Sequence, residues 1–383
     1  MIRVVSRKKY IISLILAVVI TLGTCLGGLV LLLGLNPVKA VSWVKFLTAL
    51  RFIETQYVNE VDETKLLNGA LSGMVQSLGD PHSIYLDKTM YKSLMQHTEG
   101  TFGGVGIVMG FKDNKVMIIS VMDGTPGKEA GLQAGDEIIA VDQKPVVEMQ
   151  PEEVALKVRG EAGTNVVLTI KRNEESKDYI LTRGIIQAKT AAGEMLPEQI
   201  GYIRIASFSE NTGKEFKEAY AQLEEQGMKG LIIDLRENPG GLVTSCVEIA
   251  NMVVPQGKIV SVVQRDGTRE DHMSQLPQAK YPLVVLIDGN SASASEILAG
   301  ALQDTQTAVL VGTKSYGKGS VQAVIPLPFG EALKLTIAKY YTPNGRSIDG
   351  TGIEPDEVVE QPAESTTDLQ LAKAIEVMKN KLK

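Results

Sequence analysis

Residues 283–302 read LVVLIDGNSASASEILAGAL: an apolar, strand-like run from Leu283 to Asp288, a bridge of small polar residues, and an amphipathic helix from Ala294 to Leu302. Working outward, the same order of strand, loop and helix recurs from Gly201 onward. Strands are predicted at Gly230–Leu235 and Ile259–Val263, with a helix at Val243–Val253. Such alternation predicts a layered α/β domain, placed here at residues 185–360. Within the quoted run, Ser293 stands where strand passes into helix. A hydroxyl there lies beside the free N–H groups and positive end of the helix, which can stabilise an oxyanion.

Upstream, residues 98–184 change character to glycine turns joining short β-branched strands. The clearest are Val105–Met109, Lys115–Val121, Glu137–Val141 and Val166–Lys171, with short helices at Lys128–Ala130 and Pro151–Arg159. The run Phe102-Gly103-Gly104-Val105-Gly106-Ile107-Val108 sets main-chain N–H groups at a turn before a strand, suited to a carboxylate and an extended peptide. Together with Gly124-Thr125-Pro126-Gly127 and the run from Ala130 to Asp142, it resembles a PDZ domain. That resemblance implies capture of a peptide C-terminus between Val105–Met109 and the helix near Pro151–Val158, with Gly104, Val105 and Gly106 at the carboxylate. Singly, each glycine would serve a tight turn. A dinucleotide fingerprint fails, because Met109 occupies its third glycine position and a strand follows.

Residues 41–97 carry apolar side chains at three- and four-residue spacing, as in Leu47, Leu50, Ile53 and Tyr57, and predict helices. Gly79-Asp80-Pro81 interrupts them before a short helix from Asp87 to His97. No chemistry is assigned to this block, whose expected role is packing or self-association. Residues 361–383 read as a loose tail and a charged helix. The helices at either end offer surfaces for a homo-oligomer.

With 44% apolar and 22% charged residues the chain is globular in composition, and at 383 residues it exceeds one core. A net charge of −6 without a Lys/Arg cluster argues against nucleic acid. Three scattered histidines and two cysteines, Cys25 and Cys246, form no metal-binding spacing or disulfide framework, so no metal and no cofactor is expected. Residues 1–40 hold Arg3, Arg7, Lys8 and Lys9 ahead of an uncharged stretch from Ile11 to Leu35. As a helix this stretch reaches roughly 37 Å, enough for a hydrocarbon layer of about 30 Å. A single-pass membrane anchor is the favoured expectation, with everything downstream outside the cytoplasm. The rivals are a secretory peptide cleaved near Val38-Lys39-Ala40 and a lipid anchor at Cys25.

For Ser293, no G-x-S-x-G elbow and no nearby histidine supports a Ser/His/Asp triad. A lysine can replace the histidine if burial brings it from about 10.4 to about 7 to 8, a cost near 4 kcal/mol. Lys318, between Gly317 and Gly319 and ahead of Val321, has suitable surroundings. Gly312 to Lys318 also satisfies G-x-x-x-x-G-K of a phosphate loop. There, however, Gly319 stands where Ser or Thr is needed for magnesium, and Ser320–Pro326 reads as a strand.

In order, Asp234 to Gly241, Asn290 to Ile297, Gly317-Lys318-Gly319 with Gln322, and Tyr341 to Arg346 through Gly352 to Asp356 resemble the carboxyl-terminal processing peptidases, tail-specific serine proteases with an embedded PDZ domain. The resemblance spans roughly residues 45 to 360. It implies a layered α/β core of the ClpP/crotonase kind with an inserted PDZ domain, and cleavage of exported proteins near their C-termini. It implies Ser293 as nucleophile, Lys318 as general base and Gln322 as the residue orienting it. The Gly241 and Ala294 amides match the oxyanion donors, with Gly240 as the alternative in that turn. Arg159 matches a residue that reports peptide binding to the active site, and the setting implied is a bacterial cell envelope of the Gram-positive kind. Two other readings remain: a silent PDZ adaptor, and an acyl-CoA enzyme on a related fold.

Overall fold

Leu283–Ile287 is a strand buried along its whole length, flanked in parallel by Gly230–Asp234 and Ala308–Gly312 in a computed structural model of the chain. Residues 21, 37–112, 115–149, 151–173, 175–362 and 364–383 are described. Apart from Thr21, the expected anchor Ile11–Leu35 lies outside them. Among the described residues, no helix is long and apolar enough to cross a membrane. The chain divides into two compact units between Ser77 and Leu78.

In the second unit, a six-stranded sheet runs in the order Ala191–Leu196, Ile200–Ile205, Gly230–Asp234, Leu283–Ile287, Ala308–Gly312 and Glu357–Val358; only the first strand is antiparallel to its neighbour. Successive side chains of a strand point to opposite faces. Accordingly Leu231, Ile233, Val285 and Ile287 enter one core with the helices Thr212–Glu225, Val243–Val253 and Ala294–Asp304. Ile232, Val284 and Leu286 meet Ala374 and Met378 of the helix Leu369–Lys381 on the other face. Burial on both faces is why these strands read as unbroken apolar runs.

A second sheet centres on Ala332–Tyr341, a long strand not anticipated from sequence. It pairs with Ser320–Pro326 along one edge and with Ile84–Leu86 and Gly257–Gln264 along the other. Ile259, Val260 and Tyr340 insert into the first core, which layers the two sheets together.

The small β domain forms an antiparallel sheet, Ile107–Lys112, Lys115–Val121, Glu137–Val141, Asn165–Arg172 and Glu175–Thr182, around its own core of Val105, Ile118, Ile138, Val154 and Leu168. A ribbon pairing Thr101–Gly104 with Gly184–Gln187 closes its base. The strand expected at Val105–Met109 runs instead from Ile107 to Lys112. Gly106, at φ +76°, turns the chain just before it, and a Cβ there would lie 2.3 Å from Thr125.

The first unit contains helices Pro37–Gln56 and Glu63–Gln76; the carboxylate of Asp62 caps the second, accepting from the Lys65 N–H at 3.0 Å. Its apolar spacing was legible, but Trp43, Leu47, Phe52, Ile53 and Tyr57 remain exposed.

Candidate active site and peptide groove

Ser293 caps the helix Ala294–Asp304 with φ 55° and ψ −113°, a strained backbone for a residue with a Cβ. The neighbouring serines are committed to structure. The Ser291 hydroxyl donates to the Leu235 carbonyl at 2.8 Å, and that of Ser295 donates to the Asn238 carbonyl at 3.0 Å. Both bonds fasten the helix start to the 235–241 turn.

Ser293 and Lys318 are brought together by a residue to which sequence reading assigned no role. Glu296 is fully buried, and its Oε2 accepts the N–H of Ser293 at 2.8 Å and that of Lys318 at 2.9 Å. Oε1 accepts the Ser315 hydroxyl at 2.6 Å and the Gly317 N–H at 2.7 Å. Four donors thus satisfy a buried carboxylate that would otherwise be costly. A local signal existed: Ser293-Ala294-Ser295-Glu296 is a capping-box spacing, in which the acid reaches back to the N-cap N–H. Its reach to residues 315–318 was not legible. Buried Tyr340 adds a second bridge, its hydroxyl donating to the carbonyl oxygens of Ser293, at 3.2 Å, and of Lys318.

Burial pulls the Lys318 ammonium below its ordinary range, helped by the charge of Lys334 and opposed by Glu296 and Asp80. Tight glycines shape its loop: a Cβ on Gly319 would lie 2.6 Å from the Asp349 nitrogen, and one on Gly317 would lie 2.9 Å from that of Gly352. Gln322 follows at a bulge in the strand Ser320–Pro326. Its amide donates to the hydroxyls of Ser320 at 2.9 Å and Thr336 at 3.3 Å, so here it is anchored beside the lysine loop without a hydrogen bond to Lys318.

The 238–241 turn lies against Ser293. Asn238, fully buried, donates to the Ile205 carbonyl at 2.8 Å and accepts the Gly240 N–H at 2.9 Å. The Gly240 amide is therefore occupied. Phe208 bridges the turn by donating to the Gly240 carbonyl at 2.9 Å and accepting the Leu242 N–H at 2.7 Å. This pairing directs the Gly241 amide the other way, and among the described residues it meets no acceptor; nor does the Ala294 amide.

In the small β domain, Gly104, Val105 and Gly106 are buried at the head of the edge strand Ile107–Lys112, whose outer side has no strand partner among the described residues. The Val105 carbonyl accepts the Gly127 N–H at 2.8 Å, pinning the turn to the Gly124–Gly127 motif. Arg159 stands exposed just past the helix Pro151–Val158, its guanidinium 4.5 Å from the centre of the Phe102 ring. Both line a cleft of about 420 Å³ with Lys88, Lys92 and Glu161. Arg159 thus lies between the β domain and the helix Lys88–Glu99 of the core.

The profile of Peptidase family S41 matches residues 199–359, that of the activating protease CtpB N-terminal domain matches 36–90, and that of the PDZ domain matches 117–172. A carboxy-terminal-processing protease of Bartonella bacilliformis is 43% identical over 320 residues, covering 81% of this chain and 73% of that protein. Carboxy-terminal processing protease CtpB of Bacillus subtilis is 37% identical over 340 residues, covering 87% and 71% respectively. Among solved structures, the photosystem II D1 C-terminal processing protease superposes with a TM-score of 0.51 at 28% identity, covering 87% of this chain and 96% of that one. With its PDZ domain and mixed α/β protease fold, the chain belongs to peptidase family S41, among the carboxy-terminal processing proteases.

Proposed function

We propose that the chain is a serine endopeptidase that cuts exported proteins near their C-termini through a Ser293/Lys318 dyad. The observation that carries this reading is the single Glu296 oxygen that accepts both the Ser293 and Lys318 amides, set beside a lysine whose proton burial loosens. Neutral Lys318 Nζ takes the Ser293 hydroxyl proton as Oγ bonds to the scissile carbonyl carbon. The Gly241 and Ala294 amides hold the resulting oxyanion. Collapse breaks the C–N bond, and the lysine returns its proton to the leaving amine. Water then gives a proton to the same lysine as its oxygen bonds to the acyl carbon, and the C–Oγ bond breaks as the lysine passes that proton to Ser293 Oγ. Gln322, anchored beside the base, orients it.

The PDZ domain supplies substrates by taking a chain terminus at the Gly104–Gly106 turn, with the peptide adding to the edge strand Ile107–Lys112. Arg159, next to Phe102, relays that occupancy to the core and gates cleavage. The uncharged stretch Ile11–Leu35 places this machinery outside the cytoplasm as a single-pass anchor, or as a secreted enzyme if it is cleaved. Exposed apolar side chains on the helices between Pro37 and Gln76 are the self-association surface.

The test is cleavage of an unstructured protein with an apolar C-terminus by the full chain, beside Ser293→Ala and Lys318→Ala. The parent should cut and both folded variants should lose at least a thousandfold in rate. If all three bind tails and none cuts, the chain is a PDZ adaptor instead.

A further inference from the structure

The turn Gly79-Asp80-Pro81-His82-Ser83, far from Lys318 in sequence, is tied to the sheet whose edge strand Ser320–Pro326 follows that lysine. The Asp80 carboxylate accepts the His82 N–H at 3.0 Å and the Ser83 hydroxyl at 2.6 Å. The Ser83 oxygen, buried, accepts the Thr336 N–H at 3.0 Å, and the Thr336 hydroxyl accepts the Gln322 amide at 3.3 Å. Next in the chain, Ile84–Leu86 pairs with Ala332–Lys334 in register. Asp80 is thereby locked to the strand carrying Lys334 and Thr336, one hydrogen-bond chain away from Gln322.

We propose that Asp80 is a positioning residue for the base, presenting a fixed negative charge to Lys318 from a turn held by Ser83 and Thr336. Its value for function rests on the peptidase reading above; its existence does not. Several charged groups bear on Lys318. Lys334 on the central strand repels its proton, while Glu296 on the nucleophile helix and Asp80 retain it; Tyr340 meets the lysine's own carbonyl, and Lys339 is paired with Asp349 at 3.1 Å. Asp80 itself faces His82. Burial works to raise the Asp80 carboxyl, but hydrogen bonds from Ser83, Thr336 and the His82 amide, with the His82 charge, hold it below its ordinary value. It is therefore ionised at neutral pH. A lysine lowered too far would accept the serine proton weakly, and Asp80 limits that fall.

The experiment is trace acetylation with acetic anhydride from about pH 6 to 11 on the full chain carrying Ser293→Ala, read at Lys318 by peptide mass spectrometry. Replacing Asp80 by Asn or Ser, both able to keep the turn, should move the Lys318 midpoint down by about half a pH unit or more. Asp80→Glu should stay near the parent. A folded Asn or Ser variant with an unmoved midpoint overturns the proposal, whereas a purely structural role would change stability and leave the midpoint in place. Cleavage by the chain with Ser293 intact is measured separately. If it is no faster than Ser293→Ala, the peptidase reading fails while the midpoint still reports on Asp80.

Discussion

Glu296 is the residue through which the candidate nucleophile and base share a frame. Replacing it with Gln keeps the volume but sets an NH2 group against N–H donors and removes a charge that four donors satisfy. Glu296→Gln should cost about 3 kcal/mol of stability, visible in a denaturant midpoint, and lower the cleavage rate at least a hundredfold. Lys318 makes the opposite kind of prediction. Folding lowers its proton affinity, so the unfolded chain binds more protons between the depressed value and the ordinary one near 10.5, and stability rises with pH across that window. Lys318→Met should therefore be inactive yet raise the melting temperature at pH 7 by about two degrees. The gain should shrink as pH climbs towards 10.5. A gain that is equal at every pH would mean the lysine is not desolvated.

At the scale of elements, two features hold the 235–241 turn in place. One is its fit against Ser293: a Cβ on Gly240 would lie 2.6 Å from the Ala292 carbonyl oxygen and 2.8 Å from the Ser293 Cβ. Gly240→Ala should push the turn off the helix start and lower cleavage by two orders of magnitude or more, with binding of tail peptides intact. The other is the C-terminal helix Leu369–Lys381. Its N-cap Asp368 accepts the Leu371 N–H at 2.9 Å and pairs with Arg236 at 2.8 Å, while Arg236 also grips buried Asp234 at 2.7 Å. Burial works to raise the Asp368 carboxyl, but Arg236 and the helix N–H groups hold it below its ordinary value. This clamp is at full strength above about pH 4 and is lost as pH falls below it. Asp368→Ala removes the cap and leaves Arg236 half paired, which should cost about 2 kcal/mol in a denaturation experiment near neutral pH.

Across the whole molecule, the PDZ domain and the protease core meet at the ribbon of Thr101–Gly104 with Gly184–Gln187 and at the cleft beside the helix Lys88–Glu99. The Lys92–Glu161 pair across that cleft is exposed on both sides and screened by salt, so it is a weak tether. Covalent continuity and ribbon pairing hold the base of the domain, and the Arg159 contact on Phe102 is the proposed relay between peptide and core. A peptide with a free apolar C-terminus should therefore accelerate cleavage of a neutral reporter. Gly106→Ala, whose Cβ would collide with Thr125, should weaken that stimulation at least tenfold. Stimulation by an amidated peptide equal to that by the free acid would place recognition elsewhere than the glycine turn.

Local physics was enough to read much of this from the chain. Apolar runs with period two, small residues at the junction and the 3.6-residue repeat after it located the strand and helix that frame Ser293. The bounds of Val243–Val253 and Ser320–Pro326 were legible for the same reason. The helical lead-in was read without its break at residues 57–62, and the strand Ala332–Tyr341 was not anticipated. What no spacing encodes is which distant groups share a hydrogen bond. Glu296 reaching residues 315–318, Asn238 occupying the Gly240 amide, and Ser83 meeting Thr336 across 253 residues are products of packing. Periodicity tells each element which face to bury, but the partners of a buried polar group exist only once the layers have closed over it.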